Sequence, residues 1–460
     1  METRNTRGVE VMLGDPKKAI VAFSIPIAVA LFAQQSNNLV DTFWVTGLGG
    51  GAMAALGLVF PVYAVIVGLG NGLGIGTSAA IARSIGMGKK KDASGIAVQA
   101  LILCVIVGAI ATPILLLTAE PVLMAIGASE TIAESMDFAI PLYLSTILIL
   151  LSGVMSGILR GEGAVRRSMY IQVLGSIMNL VLDPIFIYTL DMGVAGAAWA
   201  TVAAFGITII AGMYWYLFKK DTFIKFKKEH LRLNKEWQKE IMSVGLPQSL
   251  EFTVMNVFNV VLNICIVMIG TKDAMAIYTV AWRIVYLLMI PAMAMGGAVV
   301  SACSAEFGMK RYDMIRMAYR FSVKWSILIL AGLALMMVLL ADPIASIFTH
   351  ADDMQHMHDE LKLILYIFAI FVPMMSMVFV GSSLLQAVKR SKIALISSFI
   401  RNITLAAGFV IATYTIGTLA SLWWVMTIGE IFGGLLMGYW AYIVLKDVAK
   451  RDGIPWKSEI

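Results

Sequence analysis

Two aspartates set among apolar residues are the side chains in this 460-residue chain best suited to chemistry. Asp41 ends the run Gln34-Gln35-Ser36-Asn37-Asn38-Leu39-Val40-Asp41, and Asp183 follows Asn179-Leu180-Val181-Leu182 and precedes Pro184. On a helix, spacings of three and four put Gln34, Asn37 or Asn38, and Asp41 on one face, and set Asn179 one turn from Asp183. Pro184 has no N–H, so the Leu180 carbonyl loses its helical partner and is free to accept another group. Two carboxylates, neighbouring amides and a freed carbonyl are a donor set for a proton or Na⁺. The bland alternative is a pair of buried carboxyls that only tie helices together.

An ionisable side chain at the centre of a spanning helix costs roughly 2.5–3.5 kcal/mol, so each one retained needs a reason. Glu251, Arg283 and Glu430 are further cases, with Arg401 nearer the inner surface. A membrane-buried arginine rarely stands alone, so Arg283 is expected to pair with one of the two glutamates. That pair would form a structural bridge or a second polar network. Pro26 and Pro247 are expected to open corresponding helices and to kink them, as Pro184 does. Thirty methionines suit a cavity that accepts varied apolar molecules, because thioethers repack easily.

The elements that must position these residues are membrane helices. The chain is 59% hydrophobic and 14% charged, with a mean hydropathy of +0.85. Soluble domains carry roughly 25% charged residues, so this chain lacks the polar surface to face water. Charge-poor runs of about 20 or more residues recur throughout, each long enough to cross about 30 Å of hydrocarbon. Twelve spans are expected, near 19–45, 52–82, 93–117, 135–158, 167–190, 193–217, 240–269, 274–306, 320–345, 361–386, 393–416 and 418–445. Of the 35 Lys and Arg, 31 fall in the termini, the alternate loops and the adjoining helix ends; only Lys272 and Lys362 lie on the opposite side. By the positive-inside rule both termini are cytoplasmic, and the basic pI is a topology signal rather than a nucleic-acid footprint. Cys104, Cys265 and Cys303 sit in apolar runs and read as packing residues. The first apolar run is too long for a cleavable signal.

The two halves align. Asp41 falls on Asn263 and Ala52-Met53-Ala54 on Ala274-Met275-Ala276 at a shift of 222; Asn179 falls on Asn402 at 223, and Trp199 on Trp423 at 224. A shift that drifts one way by single residues is what duplication leaves. Six helices per copy is an even number, so the copies are related by a pseudo-twofold axis along the membrane normal. The expected organisation is an N-terminal bundle over 1–218, a partly helical cytoplasmic linker over 219–239 and a C-terminal bundle over 240–460. Two such bundles enclose a cleft whose exposure alternates as they rock. The second copy has no acid at the positions matching Asp41 and Asp183 (Asn263 and Ala406), so a coupling ion would belong to the first half.

Several signals carry no chemistry. Gly68 to Gly74 is glycine-rich but lies within a span, where close helix packing explains it better than dinucleotide binding. Gly86-Met87-Gly88-Lys89-Lys90 lacks the spacing and the Ser/Thr of a P-loop, so this chain does not hydrolyse ATP for itself. His350, His356 and His358 with Asp352, Asp353 and Asp359 occupy a loop without the spacing of a metal site. No nucleophile–base constellation marks an enzyme.

The stretches Asn38-Leu39-Val40-Asp41-Thr42-Phe43-Trp44, Leu159-Arg160-Gly161-Glu162-Gly163 and Asn179-Leu180-Val181-Leu182-Asp183-Pro184, with the two six-helix halves, resemble the multidrug and toxic compound extrusion family over essentially the whole chain. The similarity is nearest to its DinF-like branch. That resemblance implies cation coupling by Asp41, Asn179, Asp183 and Thr201. It also implies an N-half cavity lined by Gln34, Asn37 and Asn38, with Ser156 where relatives carry asparagine and Asn263 and Asn402 as the second-half counterparts. It further implies export of small amphipathic, often cationic, organic molecules in exchange for H⁺ or Na⁺. No cofactor, no metal other than Na⁺ at Asp41 and Asp183, and no nucleic-acid partner is expected; the protein would act as a monomer among the lipids of the cell membrane. A lipid-linked precursor flippase is the alternative, but it would need a basic central cavity, for which only Arg283 and Arg401 are candidates. A scaffold without transport is disfavoured by the repeat and the paired acids.

Overall fold

The computed structural model describes residues 6–270, 272–349 and 355–451; the side chains of Asn38, Leu39, Lys272 and Arg451 lie outside that description. Apolar composition leaves the backbone no water to bond with, so every span closes its own hydrogen bonds as a helix. Among the described residues these are α1 (Pro16–Thr46), α2 (Gly50–Gly86), α3 (Lys90–Ala125), α4 (Ile132–Leu144 with Thr146–Gly161), α5 (Val165–Pro184), α6 (Gly193–Tyr214), α7 (Lys235–Ile269), α8 (Lys272–Gly308), α9 (Tyr312–Leu339), α10 (Gln355–Ala387), α11 (Ser391–Thr415) and α12 (Leu419–Arg451). Twelve spans were expected, and the protein is an all-α, multi-pass membrane protein with twelve in two six-helix sets. α4 bends by 52° between its two pieces, and α10 is interrupted by a 3₁₀ turn at Val372–Met374. The fourth helix of each half is thus broken.

α1 starts on Asp15, whose side chain accepts from the Lys17 N–H at 2.9 Å, with Pro16 at the first helical position. Pro26 and Pro247 do not open their helices. They lie inside the uninterrupted α1 and α7. Amphipathic start signals such as the Asp15-Pro16 pair begin these helices earlier than hydropathy does.

By packing, the chain divides into two units. One comprises Met1–Thr253 and Ser304–Lys310, the other Val254–Cys303 and Arg311–Ile460. The exchange falls inside α7, beyond the 219–239 linker, because the first half of α7 is packed on α2. The glycines of α2 explain how. Gly70 and Gly74 face α4, where Gly153 and Gly157 return the same surface: a Cβ on Gly74 would stand 2.4 Å from the Gly153 oxygen, and one on Gly157 2.2 Å from the Gly74 oxygen. Gly72 and Gly76 face α7, 2.2 Å from Ser249 Oγ and 2.4 Å from the Ile241 oxygen on the same construction. The glycine run is therefore a two-sided packing surface of small residues, as expected in a membrane.

The segment after α6 is bound to the first unit. Gln99 of α3 donates to the His230 and Arg232 carbonyls at 2.8 and 2.9 Å and accepts from the Asn234 N–H at 3.2 Å. Ser94 Oγ accepts from the Lys225 N–H, and the Trp237 ring lies over Gly95. In the second unit, α12 packs on α11 and on both pieces of α10, around a stacked Tyr278–Trp423 pair.

Candidate functional site

α1 and α5 pack side by side in the first unit, which brings the two aspartates together. Asn37 Nδ2 donates to Asp41 Oδ2 at 3.5 Å and, by a short bond, to Asn179 Oδ1, so one amide network joins both acids. Asn179 Nδ2 in turn reaches Asp183 Oδ1 at 3.1 Å and Thr201 Oγ1 at 3.4 Å. Thr201 spends its own proton on the Ala197 carbonyl at 3.1 Å, leaving its lone pairs toward Asn179. Asn179 and Asp183 are buried at 2% and 1% exposure, while Asn37 and Asp41 are half-buried.

Acceptors outnumber donors here. Asn37 Oδ1, Asp41 Oδ1 and Asp183 Oδ2 are buried without a hydrogen-bond partner. An unpaired buried polar atom costs roughly 1–3 kcal/mol, so three acceptors in one network are costly unless a positive species visits. Carboxylate and amide oxygens are hard ligands suited to H⁺ or Na⁺. Pro184 ends the α-helical part of α5, and the chain continues as a π-turn over Ile185–Thr189, closed by the Leu190 N–H on the Ile185 carbonyl at 2.8 Å. That turn lets Tyr188 donate to the Trp44 carbonyl at 2.6 Å, tying α5 to α1 one turn beyond Asp41.

The other residues singled out in the sequence lie elsewhere. Gln34 is exposed, one turn before Asn37 on α1; the Asn38 side chain lies outside the described residues. Ser156 is not in this network. It is buried against Ser168 Oγ at 2.7 Å and Gln172 Nε2 at 3.1 Å, because α4 carries it past the aspartates toward the α4–α5 turn. In the second unit, Asn263 is half-buried and Asn402 donates to its own helix at Ser398.

The expected Arg283 bridge is replaced by another. Glu430 accepts from Arg401 at 3.2 Å, both buried, while Arg283 is exposed. Arg401 fits beside α12 because residue 433 is glycine; a Cβ there would meet Arg401 Cδ at 2.2 Å. Glu251 is half-buried, one turn past Pro247. His356 bonds Asp273 and His358 lies near Asp342 and Asp359, and no cluster of metal-ligating side chains exists among the described residues; His350, Asp352 and Asp353 lie outside them.

One polar centre went unforeseen although its motif was noted. Glu162, in the α4–α5 turn, accepts from Tyr216 Oη at 2.9 Å and from the Ile224 N–H at 3.0 Å. Burial pushes its carboxyl up to about 7, against those two bonds, which pull it down. Gln99 was equally unforeseen, and its signal was available: a lone amide in an apolar span.

A duplicated twelve-helix membrane bundle with a polar centre inside one copy is the build of a membrane transporter. A family model described as MatE matches residues 26–185 and 247–411, once in each half, and the chain belongs to that family. It is 26% identical over 340 residues to a FAD transporter of Shewanella oneidensis, covering 72% of this chain and 74% of the relative. It is likewise 26% identical over 342 residues to the multidrug export protein MepA of Staphylococcus haemolyticus, covering 71% and 74%. A crystal structure of MATE in complex with MaL6 superposes with a TM-score of 0.93 at 34% identity, covering 97% of this chain and all of that one. The protein is thus a transporter and not an enzyme.

Proposed function

We propose that this protein exports small amphipathic, often cationic, organic molecules in exchange for H⁺ or Na⁺ bound at Asp41 and Asp183, by alternating access. The carrying observation is the excess of acceptors: three orphaned oxygens, on Asn37, Asp41 and Asp183, within one hydrogen-bonded network of α1 and α5. A cation arriving there satisfies them; its departure leaves them costly. An ion that binds one conformation more tightly than another shifts the equilibrium by that difference, which is the coupling. Asn37, Asn179 and Thr201 position the carboxyls, and Gln34 extends the same helix face toward the cargo. The relatives named for multidrug export support the cargo class. The site's acidity supports the DinF-like branch, and the basic loops support a cell-membrane protein with both termini cytoplasmic. The flippase alternative loses one of its two basic candidates, since Glu430 neutralises Arg401.

Purified protein in vesicles decides the matter. An imposed pH or Na⁺ gradient is expected to drive efflux of a cationic dye, and Asp41→Asn and Asp183→Asn are each expected to abolish it in folded protein. Unchanged flux in both variants would remove the site from the mechanism. Applying each gradient alone identifies the ion.

A further inference from the structure

The ends of α2 and α8 touch at residues that the repeat equates. At the shift of 222 that aligns Ala52 with Ala274, Gly86-Met87 falls on Gly308-Met309 and Arg83 on Ala305. A Cβ on Gly86 would run into the Ala305 carbonyl oxygen and stand 2.9 and 3.0 Å from that residue's carbonyl carbon and Cα. A Cβ on Gly308 would run into the Arg83 carbonyl oxygen and stand 3.1 Å from its carbon and 3.2 Å from the Met87 nitrogen. Each glycine thus meets the counterpart of the residue that meets the other. A contact reciprocal in that way lies on the pseudo-twofold axis. The helix ends correspond as well: the Met87 N–H donates to the Arg83 carbonyl at 2.9 Å, and the Met309 N–H to the Ala305 carbonyl at 3.0 Å.

The chain's course makes this a contact that can part. Ser304–Lys310 packs with the first unit, while the chain on both sides of it, Val254–Cys303 and Arg311 onward, belongs to the second. The short segment is therefore held to α2 by packing alone. α7, by contrast, passes from one unit to the other at Thr253 as continuous chain and cannot let go. The touching surfaces are backbone, brought close because neither helix carries a side chain there. Closure is nonetheless complete: Ser304, Ala305 and Glu306 have no exposed surface, nor does Ala82 of α2, and Arg83 beside it is held by Glu240 of α7 at 2.9 Å. Lys89, Lys90 and Lys91 follow α2, and Lys310 and Arg311 follow α8, so the crossing stands on the side of the basic loops.

We propose that this glycine crossing is the detachable seal of the cleft on its basic side. Joined, it confines opening to the opposite side; parted, it admits cargo from the basic side. The inference rests on alternating access as proposed above and not on the roles of Asp41 and Asp183.

Thiol accessibility in the full chain tests this. The native Cys104, Cys265 and Cys303 are buried; with all three replaced by alanine, Ala82→Cys sets a single thiol one turn inward from Gly86, at a position with no exposed surface. Its rate of modification by a polar maleimide is followed in neutral detergent with the melting temperature, and gradient-driven dye efflux is followed in vesicles. Gly308→Leu, and the milder Gly86→Ala and Gly308→Ala, are each expected to raise the modification rate at least tenfold and to lower efflux at least tenfold in folded protein. Should the leucine variant fail to fold, the alanine variants give the same reading. Gly57→Leu, on the same helix as Gly86 but where a Cβ would meet nothing within 4 Å, is expected to change neither quantity. The proposal is overturned if the thiol stays protected in the folded glycine variants, or if it becomes reactive while efflux is unchanged. Absence of gradient-driven efflux in the parent chain counts against the proposed function, whereas the labelling, which needs no gradient, counts for or against the seal.

Discussion

The first unit keeps two aspartates and their amides with oxygens left over, while the second keeps Arg401 and Glu430 closed on each other. Asn402 is the repeat counterpart of Asn179, and Arg401 stands immediately before it, so the two centres occupy nearly the same address in the duplicated fold. In the second unit the buried acid has its counter-charge in place. The first leaves three oxygens unmet, and on the function proposed above a cation that comes and goes meets them.

Breaking the two centres is expected to give opposite results. Asp41→Asn or Asp183→Asn removes an unbalanced acid, so gradient-driven efflux is expected to fall at least a hundredfold while the melting temperature holds or rises. Glu430→Gln strands a buried guanidinium, and a broken buried pair costs roughly 3–5 kcal/mol; thermal unfolding in detergent is expected to drop accordingly, with efflux per folded molecule largely kept. Were Glu430→Gln to stop transport in stable protein, the second unit would have to be reckoned part of the coupling.

A smaller effect comes from Glu162, which separates structural acids from coupling ones. Its carboxyl is raised from an ordinary value near 4.5 to about 7, so the folded state holds more protons than the unfolded one between those values. Stability is therefore fullest below about 4.5 and erodes as pH climbs through 7, by roughly 3 kcal/mol in all. Glu162→Gln is expected to flatten that slope in melting curves between pH 5 and 8 while leaving the ion dependence of efflux intact. The mildest change is Ser156→Ala. It loses the contacts to Ser168 and Gln172, worth about 1 kcal/mol, and efflux measured as above is expected not to respond, because this serine stands outside the acidic network.

What could be read beforehand was what one helix decides alone. Span count followed from runs of apolar residues, and the amide-to-acid spacings of Asn37–Asp41 and Asn179–Asp183 are properties of a single helical face. Partnerships between helices were not legible in that way. Arg283 and Arg401 are both arginines in apolar context, and only the packing of α11 on α12 past Gly433 selects the second for Glu430. Gln99 and Glu162 act on segments far away in sequence. The π-turn after Pro184 needed a backbone to be seen; from the sequence, only the loss of one hydrogen bond could be stated.

Every side chain described above as holding the segment after α6 (Ser94, Gln99 and Glu162) precedes that segment in the chain. During synthesis its anchors are already made when it emerges from the ribosome, and it can be fastened before most of the later helices exist. The joint between the halves is thus fastened from the front, before most of the second half has been made.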